Sequence, residues 1–104
     1  MNNKPRVIQN YEKLSKEIQE QIKLFYSEGY SEHLIEFRNL QGEYVLGLPF
    51  ETDEKMYMVR MSVRKAEQLV EDDNDFDEEG MLKDTMREKY EEKHADTEMA
   101  VDDE

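Results

Sequence analysis

The chain has no cysteine among its 104 residues. Disulfide staples, thiolate metal sites and a cysteine nucleophile are thereby excluded. Cations are scarce as well: 14 Lys+Arg against 27 Asp+Glu leave a formal net charge of −13. A surface this poor in Lys and Arg cannot neutralise a phosphate backbone, so direct nucleic-acid binding is not expected. Anionic membrane surfaces are disfavoured for the same reason. No run approaches the roughly 20 apolar residues that span a bilayer. Met1-Asn2-Asn3-Lys4-Pro5-Arg6 lacks the apolar core of a signal peptide. A cytoplasmic protein is the expectation. The apolar share of 37% is low and the charged share of 39% high for a globular chain. The length allows one domain at most.

What is present is unevenly placed. Residues 71–104 carry 16 acidic and 4 basic side chains, a net of −12. Residues 1–70 carry 11 and 10, a net of −1, and hold nearly all the Leu, Ile, Val and Phe. A block of like charge that builds no core stays solvated and commonly serves as an interaction tail. The expectation is a small folded module, 1–70, with an acidic appendage.

Within the module the periodicity is informative. Ser15 has the chemistry of an N-cap, Glu17 suits the positive end of a helix, and Ile18, Ile22 and Phe25 follow at helical spacing, with Gly29 as the stop. Val7 and Ile8 read as an extended lead-in or a lid over the helix start. Three alternating runs follow: His33–Arg38, with Ile35 and Phe37 on one face; Tyr44–Leu48; and Lys55–Met61, with Tyr57 and Val59 opposite Met56, Met58 and Arg60. Gly42 supplies a positive-φ turn position, and Pro49 places the end of its strand at an edge. Ser62 caps a second short helix through Val63, Ala66, Leu69 and Val70. Short connections favour antiparallel neighbours. The expected fold class is therefore α+β: an α-β-β-β-α domain whose three-stranded antiparallel meander carries both helices on one face. Residues 71–80 are expected to be an acidic linker, 81–94 a weak charged helix through Leu82, Met86 and Tyr90, and 95–104 a disordered acidic tail.

Arg6-Val7-Ile8, Asn10-Tyr11-Glu12-Lys13-Leu14, Leu34-Ile35-Glu36-Phe37-Arg38-Asn39, Pro49-Phe50-Glu51-Thr52-Asp53-Glu54 and Tyr57-Met58-Val59-Arg60-Met61-Ser62 occur in order ahead of an Asp-rich end. Over roughly Arg6–Gly80 this set resembles a group of short, acidic bacterial proteins sometimes carried under the label "DNA primase". The shared segments are fold-level and include no primase motif. Primase chemistry needs a nucleotide pocket, clustered metal-binding carboxylates and a basic path for template. What the resemblance implies is an accessory partner of nucleic-acid machinery.

Candidate chemistry is sparse. Asp75-x-Asp77-x-Glu79-Gly80-x-Leu82 matches the first half of a calcium loop, with Asp75, Asp77 and Glu79 as oxygen ligands. The bidentate Glu due at the twelfth position is replaced by Met86, and acidic composition alone generates such spacing. Glu91-x-x-His94 has the spacing of half a di-iron site, but no second half exists, and His94 reads as an exposed histidine. Ser15 and Ser62 are explained as caps, Ser27 and Ser31 sit in no nucleophile elbow, and His33 is isolated. No catalytic residue and no cofactor are assigned, and an enzyme is not expected. An enzymatic alternative would need His33, Arg38 or Arg60 to converge in a pocket between the sheet and the first helix.

The remaining reading is protein binding. Asp72, Asp73, Asp75, Asp77, Glu78 and Glu79 would contact a basic protein surface, and Met56, Met58 and Arg60 would form a second contact face unless the 81–94 helix covers it. Alternatively the tail gives only solubility, and the folded part is a homo-oligomer or adaptor.

Overall fold

The computed structural model describes residues 4–95. The regular elements are β1 (Arg6–Asn10), α1 (Lys16–Phe25), β2 (Ile35–Arg38), β3 (Tyr44–Glu51), β4 (Met56–Arg60), α2 (Val63–Glu71) and α3 (Asp84–Lys93), with 3-10 turns at Tyr11–Lys13 and Ser31–His33. The result is a small α+β domain with one mixed sheet and three helices.

Local chemistry sets most of the boundaries. The Ser15 hydroxyl accepts from the Ile18 amide at 3.2 Å and the Ser62 hydroxyl from the Lys65 amide at 3.0 Å, so both helices start where a side-chain oxygen satisfies a free N–H. α1 stops at Phe25, earlier than Gly29 suggested; Gly29 instead takes φ 103° in the turn that follows. Gly42 at φ 83° closes the β2–β3 hairpin.

The sheet has four strands in the order β1-β4-β3-β2, which corrects the three-stranded antiparallel meander. β2, β3 and β4 are antiparallel neighbours as their short connections require, but β1 adds parallel to β4, pairing Val7 with Tyr57 and Gln9 with Val59. The added strand was hidden because its partner lies 50 positions along the chain and a five-residue run has too little pattern to announce itself. Pro49 sits within β3, opposite Met58 and beyond the last β2 pair at Gly47. No β2 strand remains beside it, and the Tyr26 hydroxyl donates to its carbonyl instead.

One face of the sheet carries the core. Leu48, Phe50, Val59 and Met61 pack with Ile22, Tyr26 and Tyr30 from α1 and its exit, Ala66 from α2, and Tyr11 and Leu14. Phe25, at helical spacing with Ile18 and Ile22, and Tyr44, at the start of β3, are 39% and 63% exposed and stand outside this core.

The segment expected as an acidic linker belongs to the folded body. Phe76 and Leu82 are 5% and 2% exposed, join the same core, and form a β-bridge with each other. The Leu82 amide donates to the Ser27 carbonyl at 2.8 Å, stitching the segment to the exit of α1. One apolar residue in ten had signalled solvent; here that one residue, Phe76, is the anchor. α3 begins at Asp84 and packs on α1. The expected disordered stretch 95–104 lies, apart from Ala95, outside the described residues.

Candidate functional site

Lys23 on α1 is the hub of the acidic segment. Its ammonium nitrogen lies 2.7 Å from an Asp73 carboxylate oxygen and 2.8 Å from Asp75. Burial works against its charge, but the two aspartates outweigh that and hold its pKa above the ordinary lysine value. Asp75 also accepts from the Tyr90 hydroxyl of α3 at 2.7 Å. Burial would raise the Asp75 pKa; the bonds from Lys23 and Tyr90 prevail and depress it. Two of the expected partner-binding carboxylates, Asp73 and Asp75, are therefore committed internally. The Tyr30 hydroxyl, nearby and buried, has no hydrogen-bond partner among the described residues, and burial pushes its pKa up.

The Asp75–Gly80 motif forms a tight self-closed turn. Asp77 Oδ1 accepts from the Glu79 and Met81 amides at 2.9 and 3.0 Å, and Gly80 takes φ 82°. Asp75 faces Lys23 and Tyr90, so the three carboxylates of the calcium-like spacing do not converge on one point. Among the described residues no group of three or more His, Cys, Asp or Glu side chains is placed to hold a metal ion.

His94 is a correction to the expectation of an exposed histidine. It is 7% exposed at the end of α3, with Nε2 2.8 Å from Oε1 of Glu20, itself 2% exposed on α1. The Lys93 ammonium lies 2.9 Å from the same oxygen. Burial opposes ionisation of Glu20, but the hydrogen bonds from Lys93 and His94 more than offset it, and its pKa falls below the usual glutamate value. No local pattern announces this latch, because Glu20 and His94 are 74 positions apart.

The residues of an enzymatic pocket do not assemble. The His33 ring lies tilted against the Tyr26 ring at 5.1 Å between centroids, and Arg38 lies 5.0 Å from the Tyr44 ring centroid. Strand register places Arg38 and Arg60 on opposite faces of the sheet, since Arg38 pairs with Tyr44 and Arg60 with Gly47. Ser15 and Ser62 are caps, as their hydrogen bonds require. A cleft at the sheet end, lined by Asn10, Arg60, Ser62 and Lys65 among others, has its lysine paired with Glu12.

The exposed carboxylates gather elsewhere. A cleft of about 450 Å³ between the exit of α1, the last turns of α2 and the 77–80 turn is lined by Glu28, Glu67, Glu71, Asp77, Glu78 and Glu79, with backbone from Gly29 and Gly80. No lysine or arginine among the described residues shares the lining. Glu28 and Glu67 come from the part of the chain that is neutral overall, where a count of charge along the chain does not single them out. The outward Asp72 lies beyond α2, beside Lys23 and Gln68 in a neighbouring cleft. Met56, Met58 and Arg60 lie on the sheet face opposite the core, and α3, which packs on α1, does not cover them.

No described helix is long and apolar enough to cross a membrane. Comparison with family models finds no match, and neither curated proteins nor solved structures yield a similar relative.

Proposed function

We propose that this chain is a non-catalytic protein-binding module of the cytoplasm that presents a fixed acidic cleft to a basic protein surface. The observation that carries the reading is the set of six exposed carboxylates around one concavity with no cation in its lining. Charge meant only for solubility has no reason to converge. The arrangement also works against α2 itself. Its first turn contains Arg64 and Lys65 and no acid, and its last turn contains no base. This is the reverse of what the helix dipole favours, and the carbonyl end of α2 adds to the negative potential of the cleft. A cationic partner relieves that repulsion, and the field would speed encounter in a salt-sensitive way.

The resemblance to the group labelled "DNA primase" supports placing the basic surface on nucleic-acid machinery, where exposed Lys and Arg are concentrated, rather than binding nucleic acid directly. Calcium at Asp75, Asp77 and Glu79 draws less support, because Asp75 is engaged by Lys23 and Tyr90.

The test compares the full chain with an E67K/E71K/E78K variant and an E43K/E54K control, each used as bait at low and moderate salt. The expected result is a partner retained by the wild type and control at low salt, weakened by salt, and lost by the cleft variant. Partners kept equally by all three chains at both salts would leave the acidic residues with a solubility role only.

A further inference from the structure

The sheet face turned away from the core is the second unaccounted surface. Strand register places Ile8, Met56, Met58, Pro49, Phe37 and Ile35 on it together, with Ile8, Met58 and Pro49 level across three strands. The Phe37 ring lies over Gly47, where a Cβ would come 2.4 Å from its Cε1. Phe37 and Met58 are buried on this face and stand outside the core to which all three helices contribute, while Ile8, Pro49 and Met56 beside them are partly exposed. Ile35 is 44% exposed. The strip is apolar, and the described helices contribute to the core on the other face of the sheet.

Its charge distinguishes it from the rest of the molecule. Arg6 and Arg60 are exposed on this face and have no ion-pair partner among the described residues. The carboxylate that shares the face, Glu51, is taken by Lys4 at 2.6 Å. In a chain with a formal charge of −13, the described strand residues of this face thus include two cations without an ion-pair partner and one carboxylate, which is paired. The parallel register sets Arg6 level with Met56, and Arg60 four residues further on, about 13 Å along the strands.

We propose that this face docks an acidic amphipathic helix of a partner protein, its apolar stripe on Ile8, Met56 and Pro49 above the buried Met58 and its flanking carboxylates on Arg6 and Arg60. At 1.5 Å per residue, carboxylates about nine residues apart span the two arginines. Charge selects this occupant over the others. A second copy laid face to face would bring four arginines together in a desolvated contact, and like charges so placed are strongly disfavoured. An anionic lipid surface would attract the two arginines but repel the molecule as a whole. The inference is independent of the acidic cleft, which lies among the helices.

The test uses the full chain with labelled methionine methyl groups and two synthetic helices. One bears a leucine stripe flanked by glutamates about nine residues apart; the other has lysine in place of each glutamate. The glutamate peptide is expected to shift the Met56 and Met58 methyl signals and to leave Met81 and Met86 unmoved. An R6E/R60E variant, both positions being exposed, is expected to bind it roughly tenfold more weakly. No shift at Met56 and Met58, equal binding of both peptides at this face, or undiminished binding by R6E/R60E would overturn the proposal. So would the same methyl shifts arising from self-association alone or from phosphatidylglycerol vesicles.

Discussion

The Lys23 ammonium nitrogen lies 2.8 Å from a carboxylate oxygen of Asp75, 52 residues further along the chain. That contact joins the acidic segment to α1 and makes it part of the folded body. Lys23 is mostly enclosed, and Asp73 and Asp75 are themselves half-buried, so the three charges depend on one another.

Replacing Lys23 by methionine should therefore cost about 2–3 kcal/mol, because it strands two partly desolvated carboxylates. The measurement is urea denaturation of the full chain, with amide exchange as a local readout. Exchange should accelerate across 73–90 before the sheet is affected. A K23M/D73N/D75N variant should recover part of the loss, since the stranded charges are gone.

The acid limb of stability follows from Asp75 and Glu20. Both have folded pKa values below their ordinary ones, held there by Lys23 and Tyr90 in one case and by Lys93 and His94 in the other. A depressed carboxylate pKa contributes stability that is present in full above the unfolded value, about 3.9 for Asp and 4.3 for Glu, and is lost as pH falls through the folded value. D75N and E20Q should each lower the urea midpoint at pH 7. The difference from the wild type should persist to about pH 5 and shrink below about pH 4. A gap that stays constant down to pH 2 would assign the loss to packing rather than to charge.

Alanine at Phe76 or Leu82 separates a folded segment from a linker. Both are almost fully enclosed in the core, so F76A should cost about 3–4 kcal/mol and L82A about 2–4 kcal/mol. Alanine at the exposed Glu79 should change stability by no more than about 0.5 kcal/mol. Thermal or urea unfolding of the three variants is sufficient. Neutral behaviour of F76A would return residues 71–80 to a solvated linker.

The sequence by itself determined the features that depend on near neighbours. The Ser15 and Ser62 caps, the Gly42 turn, the alternation of β2, β3 and β4, and the sharing of one face by Met56, Met58 and Arg60 are set by chemistry within a few residues. Only the tertiary structure decided that Arg6–Asn10 joins the sheet, that Lys23 draws in Asp73 and Asp75, and that Glu20 receives Lys93 and His94. The candidate site divides along the same line. Glu71, Asp77, Glu78 and Glu79 stood out by composition, whereas Glu28 and Glu67 reach the same cleft from a region with no visible charge excess. The physical reason is that hydropathy and charge patterns report what a residue's own element exposes. A buried ion pair or a parallel strand partner is fixed by residues tens of positions away, whose placement depends on the whole core closing first.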